Sequence, residues 1–211
     1  MKDFIVYNSS VSEDELKQLN IFLSDNAVVQ EGVVIYFNSC IIGDSIIYTN
    51  SVIHSNCTII NSTIRKETNV YSSRIENSEI GEKCSIGPFA NIIDCTILDE
   101  CKIGNFSVIK NTLMSNNVQI GHLSSIENAE IGKNSQVSTG VIFSSSEEER
   151  DILIGDNVKI GSNSSLISPV TISDGGYVAI GSVINKDVDV NEYAISRAKQ
   201  TNSPLTDKKI K

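Results

Sequence analysis

Along most of this chain an aliphatic residue returns every six positions. The run "IGDNVKIGSNSSLISPVTISDGGYVAIGSVINKDVDV" places Ile154, Ile160, Leu166, Ile172, Val178, Ile184 and Val190 each six residues after the last. Upstream, the same register holds Ile35, Ile41, Ile47, Ile53 and Ile59, and it continues from Ile64 to Val137 with some five-residue steps. A helix repeats its apolar face every ~3.6 residues and a half-buried strand every ~2. A period of six fits neither. It fits a parallel β-helix, in which each hexad supplies a short strand and a turn and three hexads close one triangular coil. The aliphatic residue fills the coil. The residue four places later also turns inward and is small, because the corner is narrow; Ser39, Ser45, Ser51, Cys57, Cys84, Ala90, Cys101, Ser107, Ser164 and Ser182 occupy that place. About 28 hexads make roughly nine coils, stacked ~4.8 Å apart in a prism about 40 Å long.

Two segments break the pattern. Residues 11–24 read as a short helix, with Ser12 as N-cap and Glu15 three places on. Residues 144–153 form an insertion between the hexads that begin at Phe143 and Ile154. The expected organisation is an N-terminal segment with a short helix (1–28), an all-β solenoid (29–190) carrying the 144–153 loop, and a C-terminal tail (191–211). A loop that leaves a regular solenoid is a common place for ligand contacts, and also for a plain solvated turn.

Charge narrows the partners. The formal net charge is −9, which argues against nucleic acid and against docking on an anionic membrane. No apolar run has the length of a membrane span, and "MKDFIVYNSSVSEDE" does not read as a signal peptide. The expected location is the cytoplasm, with the five cysteines as reduced thiols. Cys57, Cys84 and Cys101 read as small core residues, while Cys40 and Cys95 fall elsewhere in their hexads. No CxxC pair exists, so no metal site is expected.

Several motifs occur in order: "IGPFA" (86–90), "IGNF" (103–106), "GHL" (121–123), "AEIG" (129–132), "LIGD" (153–156), "IGS" (160–162), "PVTI" (169–172) and "AISRAKQT" (194–201). The steps from Ile103 through Ile131 are 6, 5, 6, 6 and 5. In these features residues 80–203 resemble the hexapeptide acyltransferases. Among them the resemblance is to the acetyltransferase domain of the bacterial bifunctional glucosamine-1-phosphate acetyltransferase and uridyltransferase. It implies a single-stranded left-handed parallel β-helix, a handedness that periodicity does not reveal. It also implies a homotrimer with sites between subunits and acetyl-CoA as co-substrate. No Gly-rich nucleotide loop lies near the start of the chain, so no uridyltransferase activity is expected.

The resemblance assigns roles residue by residue. The His of "GHL" is the family's catalytic base, which places that role on His122. An amine must lose a proton before it attacks a thioester, and an imidazole, ordinarily titrating near pH 6.5, can take it. His54 has no such context and reads as a surface residue. Acetyl-CoA contacts fall on Thr139, Ser162, Ile180 and Arg197, with Thr139 and Ile180 acting through the backbone and Arg197 meeting a phosphate. The tail from 191 carries five basic against two acidic residues, a net of +3.

The acceptor side departs from the family. Lys110 matches a substrate-binding lysine, but the family's Arg after "IGPFA" is missing from "NIID" (91–94). Ser125 stands for its Tyr and Gln136 for its Asn. The family's loop is replaced by "SSSEEERD", in which Arg150 supplies a basic contact and Glu147, Glu148 and Glu149 repel a phosphate if they point inward. Three readings stay open: an N-acetyltransferase acting on an amino sugar or its phosphate, a nucleotide-sugar or other small-amine acyltransferase using the same His, and a non-catalytic trimeric scaffold.

Overall fold

The computed structural model describes residues 3–144 and 152–202. They form a solenoid of stacked coils. One face is an 11-stranded sheet and the other two are joined in a 17-stranded sheet. The joining is done by two strands, Val108–Met114 and Ser125–Ile131, that run through a corner. On the first face ten strands run parallel, from Val34–Tyr36 to Tyr193–Ala194. The count exceeds the roughly nine coils of the hexad reading, because backbone pairing extends past the regular hexads. Phe22–Leu23 already pairs with Cys40–Ile42, and Tyr193–Ala194 still pairs with Tyr177–Val178.

The aliphatic register becomes a continuous column inside the prism. Ile35, Ile53, Ile86, Ile92 and Ile109 are fully buried, and each such side chain contributes about 1.5–3 kcal/mol relative to exposure. All ten small residues read four places after an aliphatic are buried too. Several of the serines also satisfy backbone carbonyls: Ser51 Oγ donates to Arg65 O at 2.7 Å and Ser107 Oγ to Gly121 O at 3.0 Å. Cys95 joins this set, 3% exposed, although its hexad place differs. The five-residue steps explain it, since the constant spacing is two residues before the next aliphatic, here Ile97. Burial pushes the Cys57 and Cys95 thiols up to about 11.

The corners are turned by asparagine. Asn38, Asn56, Asn117 and Asn134 have φ of 57°, 61°, 59° and 60°, a region their short polar side chain tolerates. Their amides also form ladders from coil to coil, as in Asn117 Nδ2 to Asn134 Oδ1 at 3.0 Å.

The N-terminal end is closed differently. Strand Phe4–Val6 pairs antiparallel with Val34–Tyr36. The helix Glu13–Gln18 carries the capping box expected of Ser12 and Glu15, and Val11, Leu16 and Leu19 pack onto the end of the core. Among the described residues no helix is long and apolar enough to cross a membrane.

Candidate functional site

His122 sits at the corner between strands Gln119–Ile120 and Ser125–Ile131. The same corner recurs in each coil, and hydrogen bonds fix its register. The N–H groups of Leu123, Gly140, Asn163 and Gly181 donate, each at 2.9 Å, to the carbonyls of Asn105, His122, Thr139 and Ser162. Asn105, His122, Thr139 and Ser162 therefore form one column, one residue per coil. Ile180 continues it: a Cβ built on Gly161 would lie 2.5 Å from Ile180 N. Glycine is required beside this column because coils approach closely there. A Cβ on Gly121 would lie 2.5 Å from the Thr139 nitrogen.

The residue after the column takes a left-handed backbone, and here asparagine gives way to bulky groups. Phe89, Phe106 and Leu123 have φ of 61°, 58° and 57°, a conformation that costs such residues about 1–2 kcal/mol. They are 56%, 55% and 63% exposed, and the two Phe rings stack with centroids 5.0 Å apart. An apolar stripe thus borders the His122 column.

On the other side of the column lies a cleft of about 570 Å³, lined by His122, Thr139, Ser162, Gln136, Lys102 and Gly121 among others. His122 is exposed to it, and its Nδ1 accepts the Asn105 backbone N–H at 2.8 Å. A neutral imidazole holding that bond carries its proton on Nε2. To take a proton at Nε2, the ring must adopt the other tautomer and give up Asn105.

The structure thus gathers His122, Gln136, Thr139 and Ser162 at one cleft. Ile180 stands further along the same column, 56% exposed. Arg197 is exposed beyond the last corner and does not line the cleft. Lys110 and Ser125 lie on another face, where Lys110 Nζ is 3.7 Å from Glu127 Oε1 and Ser125 pairs with Val108. Arg150 and Glu147, Glu148 and Glu149 lie outside the described residues. The sequence reading leaves out Asn105 and Lys102. Counting back one coil from His122 and from Gln119 finds both.

His54 is not the surface residue that its sequence context suggests. It is half-buried, with its ring stacked between Tyr36 and Tyr71 at centroid distances of 5.2 and 4.0 Å. Its Nε2 is buried without a hydrogen-bond partner, and desolvation pulls its pKa below the usual value. The stack crosses coils, so neighbouring residues in sequence give no sign of it.

Comparisons with known proteins agree with the fold. A family model described as the GMPPB C-terminal domain matches residues 71–147. The bifunctional protein GlmU of Nitratidesulfovibrio vulgaris (strain DP4) is 36% identical over 187 residues, which cover 86% of this chain and 41% of that protein. The GlmU of Bacillus subtilis (strain 168) is 37% identical over 187 residues, 87% of this chain and 41% of that protein. The chain therefore spans about two-fifths of the length of these relatives. Among solved structures, the Arabidopsis UDP-N-acetylglucosamine acyltransferase matches with a TM-score of 0.63 at 16% identity, over 81% of this chain and 68% of that one. The UDP-N-acetylglucosamine O-acyltransferase of Moraxella catarrhalis RH4 matches with a TM-score of 0.52 at 18% identity, over 80% and 66%. These two likenesses concern the fold. The chain is a left-handed parallel β-helix, similar in sequence to the hexapeptide-repeat acyltransferases over a stretch corresponding to part of the bifunctional proteins.

Proposed function

We propose that this protein transfers an acetyl group from acetyl-CoA to the amine of an amino sugar or amino-sugar phosphate, with His122 as the base. The observation that carries this reading is the column His122, Thr139, Ser162 and Ile180 beside one cleft. On this reading the proposed base and the proposed donor contacts run along one edge of the prism. A UDP-N-acetylglucosamine acyltransferase is among the neighbours in fold, which is in keeping with a sugar-derived acceptor.

In the proposed reaction the amine lone pair attacks the thioester carbonyl, and His122 takes the proton that the amine loses. The C–N bond forms as the carbonyl becomes a tetrahedral oxyanion, for which a backbone N–H of the column is the proposed partner. Collapse of that intermediate breaks the C–S bond, and the imidazolium returns the proton to the leaving thiolate. No covalent enzyme intermediate is needed. Ser162 is the proposed contact for the pantetheine arm, and Arg197 for a CoA phosphate. Thr139 and Ile180 are the proposed backbone contacts of the donor.

The exposed Phe89, Phe106 and Leu123 stripe supports assembly into a homotrimer, because contiguous apolar surface of this kind marks an interface. Lys110, Ser125, Gln136 and Arg150 are the proposed acceptor-side residues, with sites completed between subunits. The reaction is proposed for the cytoplasm.

The test follows thiol release from acetyl-CoA with a panel of amino sugars. Turnover by the wild type and a fall in kcat of about 100- to 10,000-fold in His122→Ala, with CoA binding retained, are expected. CoA binding without turnover of any acceptor would favour the scaffold reading. No CoA binding at all would remove every acyltransferase reading.

A further inference from the structure

We infer that Lys102 holds an anionic group of the acceptor and sets the preference of the site for charged over neutral amines. The inference rests on the acyltransferase reading and names a residue to which that reading gives no role. It starts from charge. The chain holds 26 acidic residues against 17 basic ones, yet no aspartate or glutamate lines the described cleft. One lysine does, Lys102. A polar cleft without carboxylates on an acidic protein selects a negative ligand, because a single cation there faces no internal competitor.

Register supplies the position. Lys102 pairs with Ser85 on one side and Gln119 on the other, and Gln119 pairs with Gln136. These side chains form an outward row on the face that adjoins the His122 corner. Lys102 belongs to the coil immediately before that of His122. Thr139, Ser162 and Ile180 lie in the coils after it. The row is therefore divided at His122: donor contacts run towards the C-terminus and Lys102 lies the other way. With coils ~4.8 Å apart, an acceptor whose amine meets His122 needs to place its charge only one or two coils away. A compact sugar phosphate or sugar acid spans that distance, with Gln119, in the coil of His122, placed to meet a hydroxyl on the way.

Lys102 is also available. The ion pairs among the described residues engage Lys17, Arg65, Arg74, Lys110 and Lys133. Asp99, three residues before Lys102, accepts the Glu82 N–H at 2.8 Å. Lys110, the lysine matched by resemblance, faces Glu127 instead. A flexible ammonium binds phosphate or carboxylate as a point charge, so the chemistry of the anion is shared between those two classes.

The experiment compares wild type, Lys102→Gln and Lys102→Arg on glucosamine 1-phosphate, glucosamine 6-phosphate, an amino-sugar acid and neutral glucosamine. CoA affinity is measured separately by calorimetry. Lys102 is exposed on a strand, so both variants should fold, and a thermal melt checks this. Lys102→Gln should raise KM for one charged acceptor about 10- to 100-fold, leave neutral glucosamine and CoA unchanged, and be rescued by Lys102→Arg. The phosphate and carboxylate arms identify the anion. An unchanged ratio of charged to neutral turnover overturns the assignment while the acyltransferase reading survives. Weakened CoA binding also overturns it, since the anion would then belong to the donor. Should the wild type turn over nothing, the acyltransferase reading fails, and titration with glucosamine 1-phosphate still decides: equal binding by wild type and Lys102→Gln, or no binding by either, overturns the role of Lys102.

Discussion

A histidine whose Nδ1 accepts a backbone N–H holds its neutral-state proton on Nε2, and the Asn105 N–H puts His122 in that state. The proposed reaction needs the opposite tautomer at Nε2. Substrate binding should therefore release the Asn105 bond. Nitrogen NMR of the free protein should show His122 protonated at Nε2, and a bisubstrate analogue joining CoA to an amino sugar should move the proton to Nδ1. A ring that stays Nε2-protonated in that complex would remove His122 from the role of base. His54 makes an instructive contrast. Its ring is packed between two tyrosines with a buried nitrogen unpaired, an arrangement of packing rather than of chemistry.

At the scale of the coil, glycine sets how closely the corners stack. A methyl on Gly121 would meet the Thr139 nitrogen at 2.5 Å and the Ser138 carbonyl carbon at 2.6 Å, both backbone atoms that cannot swing aside. Gly121→Ala is expected to cost about 1–3 kcal/mol in urea unfolding and to lower turnover by parting His122 from Thr139. Gly181→Ala is the control, since its Cβ would meet nothing within 4 Å and only its φ of 66° is strained. Equal losses in the two variants would show that close stacking is not what Gly121 provides. Much of this architecture was legible in the chain. The aliphatic register placed the core because one inward residue per hexad is all that a coil needs. His122, Thr139 and Ser162 were singled out by the resemblance alone, and their shared column follows from coil register, which the hydrogen bonds between coils reveal. What was hidden depends on contacts between coils. Cys95 was obscured by a five-residue step, the Tyr36, His54 and Tyr71 stack by its lack of local signal, and the Lys110 to Glu127 pair by its dependence on strand register.

As a whole the molecule is nearly one-dimensional. Inside the stack each parallel strand pairs with the coil before and the coil after, while end strands such as Phe22–Leu23 and Tyr193–Ala194 pair on one side only. Stability therefore propagates along the axis, and the two ends of the described ladder are its exposed flanks. The antiparallel strand Phe4–Val6 covers one flank, Val34–Tyr36. Without it that flank would offer unpaired N–H and C=O groups at the spacing that the far end, Tyr193–Ala194, also presents. Contacts of that kind do not close into a ring; they add copies indefinitely. A variant lacking residues 1–10 should scatter light and form fibres with concentration, while the intact chain stays a discrete particle. A truncated protein that remains discrete at high concentration would show that the flank is guarded by something else. The first strand, remote from the cleft, is thus expected to keep a self-templating ladder from growing into a filament.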